Sequence, residues 1–159
     1  MLTRYRAWAT RDWARDPFNG LSPMARYLYL LLCLGPQSTS IPGVTLSSRA
    51  GLLYESGLDE ATFAAMEREL ESAGVLLSDS KKRLWVLRDA VEAAFPANPN
   101  AVVAWCKAFN ELPDSEIKAA LGTLIEAVLQ RCDMERPLKS TTTGLPTDSR
   151  GWSRQWRPI

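Results

Sequence analysis

Lys81, Lys82 and Arg83 stand together between Asp79 and Arg88, and with Arg88 they set four cations against a single acid, a local charge of +3. Concentrated charge of this kind suits phosphate contact, because each cation that neutralises a phosphate releases a condensed counterion. The competing reading is a solvated turn that keeps a hairpin edge soluble. Further cations placed to touch phosphates are Arg4, Arg6, Arg11 and Arg15 near the start of the chain, and Arg49. At the other end, Trp152-Ser153-Arg154-Gln155-Trp156-Arg157 places two tryptophans four residues apart among arginines. In a helix the two rings share a face, which makes Trp152 and Trp156 candidates for docking a partner or for stacking on single-stranded nucleic acid. An unstructured end with incidental aromatics is the plainer alternative.

Other chemistry is poorly supplied. The 159 residues contain no histidine, which removes the commonest general base near neutral pH and every Ser-His or Cys-His nucleophile pair. Cys33, Cys106 and Cys132 lie far apart with no CxxC spacing, so neither a zinc site nor a disulfide framework is expected, and a reducing cytoplasm fits best. Gly20, Gly35, Gly43 and Gly51 are isolated rather than gathered into a phosphate loop. Glu67, Glu71 and Asp79 are acids of the sort that charged helix faces produce routinely. We therefore expect no catalytic residue, no metal and no cofactor: not an enzyme. The longest apolar run, Tyr27 to Leu34, falls well short of the roughly 20 residues that span a bilayer, and the early arginines precede no signal-peptide apolar region. No membrane association is expected.

The elements that must carry these residues are mostly helical. The stretch 1–20 lacks a clean period and reads as an arm, with one short strand near Tyr5 to Trp8. Ser22 as a cap and Pro23 at the first helical position open a helix to about Leu34, with Met24, Tyr27, Leu28, Leu31 and Leu32 at helical spacing and Gly35-Pro36 closing it. Gly43-Val44-Thr45 reads as a short strand. A helix from Leu46 to Glu55, with Ala50 and Leu53 inward, stops at Gly57. The next starts at the cap Asp59, buries Phe63, Met66, Leu70 and Ala73, and ends at Gly74. Val75 to Leu77 and Arg83 to Leu87 then form a hairpin in which Leu84 and Val86 share one buried face, while Trp85 and Leu87 need a cover from the arm, the carboxy-terminal helices or a dimer partner. Beyond it, one helix runs from Asn98-Pro99 to about Asn110. A second from near Asp114 carries the stripe Ile117, Leu121, Leu124, Ile125, Val128, Cys132. Residues 136–159 are too poor in apolar groups to offset ordering entropy and read as a flexible tail.

The order helix, strand, helix, turn, helix, hairpin predicts a mainly α protein with a small β-hairpin, a winged helix-turn-helix over residues 21–90 followed by C-terminal helices over 98–135. The residues that carry it, Trp13, Leu21-Ser22-Pro23-Met24-Ala25-Arg26-Tyr27-Leu28-Tyr29-Leu30-Leu31-Leu32, Gly43, Leu58-Asp59-Glu60 and Leu70-Glu71-Ser72-Ala73-Gly74-Val75-Leu76, resemble the amino-terminal winged-helix domain of phage replisome organisers and DnaD-like primosomal proteins. The likeness covers about Tyr5 to Arg88, and Asn110-Glu111-Leu112-Pro113-Asp114-Ser115 resembles a segment found after the wing in some of them. The resemblance implies replication initiation: binding DNA near an origin, homo-oligomer formation, and recruitment of a replicative helicase or helicase loader. No complete second DnaD-type domain fits after Arg88.

One feature opposes the usual docking of this fold, in which the third helix enters the major groove. Between Asp59 and Ala73 stand Asp59, Glu60, Glu67, Glu69 and Glu71 against Arg68 alone, a local charge of −4 that repels phosphate. DNA contact is therefore expected through the wing (Lys81, Lys82, Arg83), the basic arm (Arg4, Arg6) and Arg49. The alternatives are a protein-binding winged-helix adaptor, which the acidic helix favours, and a transcription regulator, for which that helix lacks base-reading groups. A cytoplasmic location follows, at the nucleoid if DNA is bound.

Overall fold

Short polar side chains start five helices, each taking up one of the backbone amides that a helix leaves free at its beginning. Ser22 Oγ accepts from Ala25 N (3.2 Å) at α1 (Pro23–Leu34), and Ser48 Oγ from Gly51 N (3.0 Å) at α2 (Arg49–Ser56). Asp59 does so for α3 (Glu60–Ser72), Asn98 for α5 (Pro99–Glu111) and Ser115 for α6 (Glu116–Glu135). The short α4 (Arg88–Glu92), which the sequence pattern does not announce, follows the last strand directly and has no side-chain cap. Gly57 (φ 66°) and Gly74 (φ 69°) end α2 and α3 in the left-handed region. The computed structural model describes residues 10–135 and 151–159. Arg4, Arg6 and the strand expected near Tyr5 to Trp8 lie outside them, as do residues 136–150.

Three short strands, β1 (Val44–Leu46), β2 (Leu76–Asp79) and β3 (Leu84–Leu87), form an antiparallel sheet in the order β1-β3-β2. Val86 lies opposite Val44 on one side and Leu77 on the other, and Trp85 opposite Thr45 and Ser78. Gly43 makes the approach to β3 possible. At φ 72° it accepts from Leu87 N (2.8 Å), and a Cβ there would come within 2.7 Å of Ala90 Cβ.

Because β3 is central and both faces of the sheet are covered, all four of its side chains are buried. Trp85 and Leu87 join Phe18, Leu28, Tyr29, Phe63 and Leu70 in a core built with α1, α2 and α3. Leu84 and Val86 join Val102, Trp105, Leu121, Ile125 and Trp152 in a second core built with α5, α6 and the end of the chain. The alternation along the strand is as the sequence predicts. The cover is exchanged: the carboxy-terminal helices lie over Leu84 and Val86, and the first three helices over Trp85 and Leu87.

The chain differs from expectation where two apolar stripes compete or where pairing takes a residue away. In α1 the buried face is Ala25, Leu28, Tyr29, Leu32 and Cys33, leaving Met24 and Tyr27 about two-fifths exposed. A nearly all-apolar helix offers two neighbouring stripes, and here packing of Tyr29 on Phe18 (ring centroids 5.1 Å) selects one of them. Leu46 pairs with Leu84 in the sheet, so α2 starts at Arg49; Leu52 is its buried apolar residue, Leu53 packs partly buried against the first core as expected, and Ala50 is exposed. Ala73 is the exposed C-cap of α3, which ends the buried stripe at Leu70. Residues 10–20 are not an arm. They form 3₁₀ turns at Thr10–Ala14 and Phe18–Gly20, with Phe18 fully buried. The end of the chain is not loose either: Trp152 and Trp156 are only 5% and 8% exposed.

Glu69 of α3 ties the two ends of the first core together, accepting from both the backbone N (2.7 Å) and Oγ (2.7 Å) of Ser22, the cap of α1. Glu69→Ala is expected to lower stability by about 1.5–3 kcal/mol, the usual worth of hydrogen bonds to a charged group. A urea titration measures this, and an unchanged midpoint would deny the clasp its role. Among the described residues no helix is long and apolar enough to cross a membrane.

Candidate nucleic-acid interface

The turn between β2 and β3 is held by its own backbone. Asp79 Oδ1 accepts from Lys82 N (3.0 Å), Arg83 takes the left-handed conformation (φ 61°), and its carbonyl accepts from Ser47 N (2.9 Å) just before α2. Local anchoring of the main chain leaves the side chains of Lys81, Lys82 and Arg83 exposed, and none makes an ion pair within 4 Å among the described residues. An open cleft separates the tip from the start of α6, lined by Ser78 to Lys82 on one side and Ser115 to Ile117 on the other. Asp114 lies across it. Its carboxyl is held below the ordinary value mainly by the hydrogen bond from Lys118 Nζ (2.9 Å), with a small contribution from the charge of Lys82.

Arg49 does not belong to this surface, contrary to expectation. Its Nη1 meets Glu60 Oε1 at 2.6 Å, its Nε meets Glu67 Oε2 at 2.9 Å, and the guanidinium lies over the Phe63 ring at 5.1 Å. A guanidinium shared by two carboxylates and an aromatic face has little left for a phosphate. The pairing joins α2 to α3 across a turn, a tertiary arrangement that spacing along the chain cannot reveal. Arg15 is likewise engaged, with Asp89 at 3.5 Å and Asp12 at 3.8 Å.

The same pairings change the meaning of the acidic third helix. Glu60 and Glu67 hold Arg49, Glu69 holds Ser22, Glu71 accepts from Ser78 Oγ (2.9 Å), and Asp59 caps Thr62. Each acid therefore has a partner within the fold. The most outward stripe of α3 is Ala61, Ala65, Arg68 and Ser72, at steps of four, three and four residues. It carries one cation and few groups able to read base edges.

A partly buried polar set lies beyond the end of β3 that is away from the turn. Tyr29 Oη donates to Asp89 Oδ2 (2.7 Å), while Asp89 Oδ1 and Arg15 Nε are buried without a hydrogen-bond partner among the described residues. Burial raises the Asp89 carboxyl above its ordinary value of 3.8, against the opposing effects of the Tyr29 hydrogen bond and the Arg15 charge. A raised folded value means that the native state binds the proton more tightly than the unfolded chain. The contribution is thus fully present below 3.8 and lost as pH rises through the folded value. Asp89→Asn is expected to remove this slope, so that wild type loses stability relative to the variant between pH 4 and pH 7. Urea midpoints at the two pH values decide it, and parallel curves would contradict it.

Trp152 and Trp156, the candidate partner-docking residues, are turned inward. Their rings pack edge-on against Phe95 (5.8 Å) and Phe109 (5.1 Å). Neither ring is placed to stack on a base. The sequence carries a signal for this: Phe95, Trp105 and Phe109 leave an aromatic-rich surface on α5 and its approach that needs aromatic cover.

Comparison with known proteins returns no match to a family model, to a curated protein or to a solved structure.

Proposed function

We propose that residues 21–90 form a winged helix-turn-helix and that the chain binds DNA through the tip of its hairpin, as a replication-initiation or replisome-organiser protein of phage or prophage type. The order α1-β1-α2-α3-β2-β3 with the sheet order β1-β3-β2 supports the fold assignment. The observation that carries the binding is the exposed Lys81-Lys82-Arg83 cluster, uncompensated by any ion pair among the described residues and set at the end of a turn whose backbone is pinned. The replication role rests on the resemblance of Trp13 to Leu87 to replisome organisers, and a helicase or helicase loader as partner rests on the same ground.

The charge distribution favours phosphate contact over base reading. The stripe Ala61, Ala65, Arg68, Ser72 offers little sequence discrimination, so the chain binds duplexes of differing sequence with similar affinity, which sets it apart from a transcription regulator. Fluorescence anisotropy with a labelled 25-base-pair duplex and the matching single strand at low salt tests the reading. Dissociation constants of order 10⁻⁴ to 10⁻⁶ M, the range of sequence-independent binding, are expected at physiological salt, and tighter ones at low salt. Absence of binding to both would leave the protein-binding adaptor. That reading has its own support in Met24, Tyr27 and Leu34 of α1 and Tyr54 of α2, large apolar groups left exposed.

A further inference from the structure

The two edges of the sheet differ in how their main chain is satisfied. On β1 the groups that face away from β3 are met by the loop before the strand: Leu46 N donates to the Gln37 carbonyl (3.3 Å), Thr39 N to the Val44 carbonyl (2.8 Å) and Val44 N to the Ile41 carbonyl (3.2 Å). On β2 the Val75 carbonyl accepts from Arg88 N (2.9 Å). With the strand register, this directs the main chain of Val75, Leu77 and Asp79 to β3 and that of Leu76 and Ser78 outward. Neither the N–H nor the C=O of Leu76 or Ser78 has a partner among the described residues. The usual devices that blunt an exposed edge are missing from this strand, which holds no proline, no lysine and no bulge. Ser78, Asp79 and Ser80 line the cleft whose far wall is Ser115 to Ile117. Leu77 and Ile117, both half-buried, give it apolar surface. At the tip end stand Lys81 and Lys82, opposite the N-terminus of α6, the positive end of its dipole. The acids there are Asp79, whose Oδ1 is engaged by Lys82 N, and Glu116 on the far wall.

We propose that the β2 edge docks an extended acidic peptide of a partner protein, added antiparallel as a fourth strand with its carboxylates at Lys81 and Lys82. The outward groups of Leu76 and Ser78 lie two residues apart, about 7 Å along a strand, which is the repeat that an added strand matches with its own N–H and C=O groups. Antiparallel addition brings the N-terminal end of the partner to the tip. The segment that fits is therefore acidic first and then apolar at alternate positions, so that one face lies on Leu77 and Ile117. The inference does not rest on DNA binding, because phosphates need only the cations, whereas a strand needs the edge.

Fluorescence anisotropy of a labelled Glu-Glu-Val-Thr-Val-Thr peptide with the full-length protein tests the proposal. It is expected to bind about tenfold more tightly than the Lys-Lys-Val-Thr-Val-Thr counterpart, and Lys81→Glu/Lys82→Glu is expected to reverse the order. Ser78→Pro deletes the outward N–H while keeping every bond to β3 and all three tip cations, at a position where an edge strand tolerates proline. It should lose the peptide. Where that variant does not fold, a peptide with proline in place of both threonines serves instead, since it keeps the charge and lacks the amides that would meet the edge. Hydrogen exchange at the Ser78 amide should slow when wild type binds the acidic peptide. Equal binding of the acidic and basic peptides, binding unchanged by folded Ser78→Pro or by the proline peptide, or no binding at all would overturn the proposal. So would a wild-type dimer that Ser78→Pro returns to a monomer, which would give the edge to a second copy.

Discussion

Trp85→Ala is expected to lower the unfolding free energy by about 3–5 kcal/mol, the usual cost of truncating a buried tryptophan and a large share of the 5–15 kcal/mol typical of a whole domain. Trp85 is 0% exposed on the central strand, where it meets Phe63 edge-on at 6.5 Å and donates its indole N–H to the Ser47 carbonyl (2.8 Å). It therefore acts twice. The ring fills the space between the sheet and α3, and the hydrogen bond fixes the residue that begins the approach to α2. Trp85→Phe separates the two roles, keeping most of the volume while leaving a buried carbonyl unmet, at about 1–3 kcal/mol. Urea unfolding of both variants checks the order. A Trp85→Ala midpoint within error of wild type would mean that β3 does not organise the first core.

The second large effect concerns binding. Lys81→Ala/Lys82→Ala/Arg83→Ala is expected to weaken duplex binding roughly 10–100-fold at 50 mM salt, since each cation removed takes away the entropy of about one released counterion. Thermal stability should stay close to wild type, because all three side chains are exposed and the turn is held by Asp79 and by backbone hydrogen bonds. Arg49→Ala provides the contrast. It breaks the pairing with Glu60 and Glu67, so it is expected to affect stability far more than binding.

Much of the scaffold is legible in the sequence because its signals are local. Ser22-Pro23, Asp59 and Asn98-Pro99 mark helix starts by chemistry that acts within one turn, and Gly57 and Gly74 mark ends by a backbone conformation that glycine adopts most easily. The alternation of Leu84, Trp85, Val86 and Leu87 is legible for the same reason. What covers each face is not, because it depends on packing between residues far apart in sequence. Arg49 shows the same limit at the interface: an arginine beside a turn looks available until Glu60 and Glu67 are brought around it. At Trp152 and Trp156 composition misleads. The surrounding Pro, Thr, Ser and Arg suggest a loose tail, whereas the two indoles are buried against Phe95 and Phe109.

If the hairpin tip meets phosphate, the salt dependence of duplex binding must change when its cations are removed. Plotted as log K against log salt concentration, wild type should give a negative slope that becomes shallower by about 2–3 in the variant lacking Lys81, Lys82 and Arg83, near 0.9 for each phosphate no longer neutralised. Equal slopes for the two proteins would place the phosphate-binding cations elsewhere than at the hairpin tip.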